Sequence, residues 1–167
     1  MARIVIGCGN TLVGDDGAGP AAVAALAARR LPPDVRLLDA GTAGIDAALV
    51  MAGAERVILV DACRSGATPG TLVEWDDFDP AGFPPPAGID LHGCRWDQAL
   101  ALARLSWGTR APERIDVILV EGAGFVPGDG LSEPVRRGVD RAVARILALL
   151  AGVADAPRAP APVPRRG

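Results

Sequence analysis

The sequence predicts an α/β fold: a mostly parallel, five-stranded sheet with one antiparallel edge strand and helices on both faces. Three observations predict it. Four apolar, β-branched runs, Ile4–Ile6, Val35–Leu38, Val57–Val60 and Ile115–Val120, do not alternate with polar residues, as expected of strands buried on both faces. Helical patterns lie between these runs, the arrangement that produces parallel strands with covering helices. A further short run, Thr71–Trp75, is reached from the third through Ser65-Gly66-Ala67-Thr68-Pro69-Gly70. That connection has no room for a crossover helix, so the strand is expected to run antiparallel at an edge.

In chain order, the first strand enters a glycine turn, and Ala21–Leu31 follows as an alanine-rich helix closed by Pro32-Pro33. After the second strand, the turn Gly41-Thr42-Ala43 leads into a helix over Gly44–Met51. Asp76–Asp90, rich in proline and glycine, reads as a long surface loop, and Trp96–Leu105 as a third helix. The last helix, Glu133–Leu150, carries Val135, Val139, Val143, Ile146 and Leu150 at helical spacing. A single domain over residues 1–152 is expected. The proline, alanine and arginine composition of residues 153–167 cannot form a core and predicts a disordered tail.

A net charge of -3 provides no basic field for nucleic acid or anionic lipid. No apolar run approaches the roughly 20 residues of a membrane span, and Met1-Ala2-Arg3 leads straight into a strand rather than a secretory signal. A cytoplasmic location is expected. Three cysteines without a Cys-x-x-Cys spacing argue against a disulfide framework or zinc ribbon. Cys8, Cys63 and Cys94 read as small core thiols, with soft metal ligand or nucleophile as the competing role. Trp75, Trp96 and Trp107 read as core or rim residues.

The most informative stretch is Gly7-Cys8-Gly9-Asn10-Thr11-Leu12-Val13-Gly14-Asp15-Asp16-Gly17. Its first two glycines match the start of a dinucleotide fingerprint, but the third glycine position holds Leu12, whose side chain is expected to block close approach of helix to strand. Asp15 and Asp16 place negative charge where an anion would bind, which points to a cation instead. If the second strand lies on one side of the first and the third on the other, the first and third strands frame the ligand crevice. Asp15, Asp16 and Asp61 then face one another, and His92 can fold back over the same rim. Two carboxylates and one imidazole suit nickel, zinc or iron, with positions left for substrate or water. The bland alternatives are a helix-start role for Asp16, a strand-end role for Asp61 and a surface or core role for His92.

Taken together, Gly7-Cys8-Gly9-Asn10, Asp15-Asp16-Gly17-Ala18-Gly19-Pro20, Asp39-Ala40-Gly41-Thr42-Ala43-Gly44, Val60-Asp61-Ala62, Pro69-Gly70, Leu91-His92-Gly93 and Gly130-Leu131-Ser132 form an ordered set over residues 3 to 150. The chain thereby resembles the nickel-iron hydrogenase maturation endopeptidases. The resemblance implies a three-layer α/β/α sandwich and a peptidase that removes the C-terminal extension of a hydrogenase large-subunit precursor after nickel insertion. It implies Asp16, Asp61 and His92 as catalytic and metal-contacting residues, nickel supplied by the precursor, and a monomer. Two rival classes are a non-catalytic nickel-binding or precursor-holding module and a nucleotide-binding domain. Ala40 stands where many family members have a second glycine. Val120-Glu121-Gly122-Ala123-Gly124-Phe125 replaces a proline-containing turn and puts Glu121 on the rim, as a solvated acid or a proton-transfer group.

Overall fold

The computed structural model describes residues 2–42, 44–79, 100, 104 and 107–152. In chain order the elements are β1 (Arg3–Cys8), α1 (Ala18–Ala27), β2 (Val35–Gly41), α2 (Gly44–Met51), β3 (Arg56–Cys63), β4 (Leu72–Trp75), β5 (Arg114–Glu121) and α3 (Glu133–Leu150). The expected tail, all but two residues of the helix expected at Trp96–Leu105, and the expected loop beyond Asp79 lie outside the described residues.

The strands form one sheet in the order β2-β1-β3-β5-β4. β2, β1, β3 and β5 are mutually parallel, and β4 pairs antiparallel with β5 at the edge, as the short connection requires. Each parallel strand begins or ends beyond its apolar run. On β3 and β5 the extension recruits Asp61 and Glu121 into the ladder, where they face Leu119 and Cys63 respectively.

Two apolar layers close the sandwich. On one face Ala18, Ala22 and Leu26 of α1 and Val135, Val139, Val143 and Ile146 of α3 pack on Val5, Ile58, Val60 and Ile118. On the other, Ala47 and Met51 of α2 join Leu100 and Trp107 against Ile4, Ile6, Val57, Leu59 and Val117. Alternation along the central strands thus feeds both cores, which is why their sequences read as continuous apolar runs. Val57, Ile58, Leu59 and Val60 are completely buried, each worth about 1.5–3 kcal/mol of transfer free energy.

α1 begins three residues before the expected Ala21 and ends before Leu31. Pro20 falls in its first turn, where no intrahelical N–H is needed, so the proline starts the helix rather than delaying it. The start is also set by packing. A Cβ on Gly19 would lie 2.2 Å from the Cys8 carbonyl oxygen and 2.6 Å from that of Val60, and one on Gly7 would lie 2.4 Å from the Gly19 oxygen. The expectation that Leu12 blocks close helix–strand approach is therefore overturned. A 3-10 turn over Gly14–Gly17 separates Leu12 from the helix, and Gly7 and Gly19 make the close approach.

Candidate active site

β1 has β2 on one side and β3 on the other, so the chain switches direction between β1 and β3, and α1 and α2 cover opposite faces. The crevice at the carboxyl ends of β1 and β3 is the place where such a sheet takes ligands. Asp16 lies on the 3-10 turn that follows β1, and Asp61 near the end of β3. A Cβ on Gly9, which has φ 128°, would lie 1.9 Å from the Asp16 carbonyl oxygen and 3.5 Å from Asp61 Oδ1. Gly9 is thus the spacer that lets the two acidic residues adjoin it. Any side chain there would strain the backbone and collide with the Asp16 carbonyl.

Each is held in place. Asn10 N–H donates to Asp16 Oδ2 at 2.8 Å, and the Asn10 side-chain oxygen accepts from Leu12 N–H at 2.9 Å, fixing the turn that presents Asp16. Asp61 is buried, and its Oδ1 accepts from the Ala62 N–H at 2.7 Å. His92, like Cys94 and Trp96, lies outside the described residues. Among the described residues no set of three His, Cys, Asp or Glu side chains has metal-holding geometry.

Asp15 does not face Asp61 as expected. Its carboxylate turns toward β5 and α3, where Oδ2 accepts from the N–H groups of Ala123 and Gly124 at 2.8 and 2.9 Å and from the Ser132 hydroxyl at 3.0 Å. Oδ1 accepts from Ser132 N–H at 2.7 Å. Burial alone would push this carboxyl up, but the four donors outweigh it and hold the group below the usual carboxylate range. Ser132 stands at the α3 N-cap without capping the helix, because its hydroxyl is given to Asp15.

Glu121 is not the solvated acid expected; it is buried at the end of β5. The Ser65 hydroxyl donates to it at 2.6 Å, the N–H groups of Ser65 and Gly66 at 2.9 Å, and the Cys63 thiol at 3.2 Å. Burial raises its carboxyl, and the Ser65, Cys63 and Gly66 donors more than reverse that, leaving it below its ordinary value. Glu121 therefore ties the loop after β3 to β5. Its place as the last residue of an apolar strand was visible in the sequence; the donors that surround it, contributed from residues 63–66, were not. Asp39 has a related local role, accepting from Gly41 N–H at 2.9 Å to shape the turn after β2. Cys8 and Cys63 are buried and not disulfide-bonded, and Trp75 and Trp107 are buried in the core, as expected.

Among the described residues no helix is long and apolar enough to cross a membrane. A family model described as hydrogenase maturation protease, HycI, matches residues 20–149. The hydrogenase 2 maturation protease of Escherichia coli K12 is 32% identical over 163 residues, covering 95% of this chain and 97% of its own. The hydrogenase expression/formation protein HupM of Azotobacter chroococcum is 35% identical over 159 residues, 93% of this chain and 75% of its own. The solved structure of the hydrogenase maturating endopeptidase HybD from Escherichia coli superposes with a TM-score of 0.77 at 31% identity, covering 92% of this chain and 94% of that one. A chain matched over most of its length by both sequence and fold, with its acidic crevice at the sheet's switch point, belongs to the hydrogenase maturation protease family and is a peptidase.

Proposed function

We propose that this chain is an endopeptidase that removes the C-terminal extension of a nickel-iron hydrogenase large-subunit precursor once nickel has been inserted. The nickel belongs to the precursor, and Asp16, Asp61 and His92 are its ligands from this side. The observation that supports the reading is that the Asp16 backbone and the Asp61 carboxylate both adjoin Gly9 at the β1/β3 switch point. Carboxylate oxygens with one imidazole form a donor set that suits a first-row divalent ion and leaves positions for a scissile carbonyl or water. Among the described residues, Asp15, Asp16 and Glu121 are held by N–H, O–H and S–H donors rather than by ion pairs, so these three carboxylates keep charge that favours a cation.

Selectivity in this reading is the difference in affinity between loaded and empty precursor. Bound metal would polarise the scissile carbonyl or activate water. The protein's own part is to seat the chain at the crevice and, through a carboxylate of the pair, to take the proton from attacking water. The test is cleavage of purified precursor prepared with and without nickel, followed by product mass. Release of a short C-terminal peptide only from the nickel-loaded precursor is the expected result. Cutting that ignores the metal removes the recognition role, and binding without a released peptide removes the hydrolytic one.

A further inference from the structure

Three large apolar side chains are well exposed among the described residues: Leu12 at 73%, Leu49 at 69% and Val126 at 55%. Leu49 lies on α2, an element separate from the other two. Leu12 and Val126 instead belong to two loops that are fastened together. Gly128 N–H donates to the Leu12 carbonyl at 2.9 Å, Val13 bridges Pro127 in antiparallel fashion, Gly14 N–H donates to Asp129 at 3.1 Å, and Asp15 N–H to Gly124 at 2.9 Å. The Asp15 carboxylate locks the same junction from below. Phe125, the neighbouring apolar side chain, is already engaged: the Arg64 guanidinium lies 4.0 Å over its ring.

We propose that this stapled two-loop platform, with Leu12 and Val126 as its apolar contacts, docks an aliphatic segment of the polypeptide that the peptidase cuts, next to the scissile bond. The inference rests on the proposed function for the identity of that polypeptide. Its location argues for substrate. Leu12 precedes Asp16 by four residues on one loop, so the two lie at most about 14 Å apart. An extended chain that leaves the crevice toward this loop would, at about 3.3 Å per residue, reach the platform within roughly four residues of the cut. Its rigidity argues for a binding role, because a surface already ordered by backbone hydrogen bonds loses little conformational freedom on association. Its size argues against a second copy of this chain. Two side chains expose far less than the roughly 800 Å² per partner that a stable dimer buries.

The test compares wild type with the double variant Leu12→Ser/Val126→Ser and the control Leu49→Ser in steady-state cleavage of nickel-loaded precursor. Calorimetric binding of the same precursor is measured in parallel. Loss of two aliphatic contacts should raise KM and Kd at least about tenfold with kcat and thermal midpoint unchanged, and Leu12→Met/Val126→Ile should restore both. Leu49→Ser should behave as wild type. An unchanged KM and Kd in the double variant, or an equal rise in Leu49→Ser, overturns the proposal. So does a concentration-dependent dimer that the double variant abolishes while KM stays put. If wild type binds precursor without cutting it, the functional reading fails, and docking stands or falls on the double variant's Kd. A wild type that neither binds nor cuts sinks both.

Discussion

The two ends of the same sheet hold their acids in opposite ways. At the amino ends of the strands, carboxylates meet arginines. Arg56 Nε lies 2.6 Å from the fully buried Asp116, Arg114 adds a second contact at 3.1 Å, and Arg3 pairs with Asp34. Arg56 also donates to the Leu149 carbonyl at 2.9 Å and Arg3 to that of Leu150, satisfying the carbonyl end of α3. At the carboxyl ends, Asp15 and Glu121 are held by backbone N–H groups, the Ser65 and Ser132 hydroxyls and the Cys63 thiol. Among the described residues, Asp34 and Asp116 are paired with arginines at the first end, whereas Asp15 and Glu121 at the second are not. One end fastens the fold; the other is left with a field to use.

That contrast can be broken most sharply by neutralising one acid at each end. Asp61→Asn keeps the Ala62 contact yet should lower cleavage by about 10²–10⁴-fold, with little change in thermal midpoint. Full activity in that variant removes Asp61 from the mechanism. Asp116→Ala should do the reverse. It strands Arg56 beside an empty partner site and should cost about 3–5 kcal/mol in denaturant unfolding, with kcat retained below the transition. A stable Asp116→Ala enzyme would mean that the half-buried Arg56 finds another partner.

A smaller effect is expected for Asp15→Asn, where a carboxamide offers one oxygen to donors that now share two. A loss of about 1–3 kcal/mol should appear in chemical denaturation. The acid limb of the stability curve sharpens the point. Asp15 and Glu121 both titrate lower in the folded chain than their ordinary values of 3.8 and 4.5. The unfolded chain therefore takes up protons first, so their stabilisation is complete above those values and is lost as pH falls through the lowered ones. Glu121→Gln should flatten this limb; an unaltered slope would show that Glu121 keeps its ordinary affinity for protons.

The weakest expected effect is that of salt. Asp34 is also lowered, first by its hydrogen bond from Arg3, but it is exposed, so 0.5 M salt should erode its part of the acid limb. The buried Asp15 and Glu121 contributions should persist. Equal salt sensitivity of all three would erase the distinction between the ends.

Much of the fold was legible because burial on both faces leaves a mark that needs no partner to be read. The apolar runs within β1, β3 and β5, the periodic α3 and the short link into β4 each state their class locally. The same reading failed at Asp15 and Glu121. Two adjacent aspartates are chemically identical in a sequence, and which one turns inward depends on N–H groups contributed more than a hundred residues away. Leu12 failed differently, since its distance from α1 depends on a 3-10 turn that the glycine pattern does not announce.

By itself the sequence determined the strands, three of the helices, the antiparallel edge and the acidic character of the crevice, because apolar periodicity and charge are local properties of the chain. Only the tertiary structure decided that β1 lies between β2 and β3, that the Asp16 backbone and the Asp61 carboxylate both adjoin Gly9, and that Asp15 and Glu121 tie down loops instead. Those outcomes depend on which backbone donors arrive beside each carboxylate, and long-range packing alone settles that.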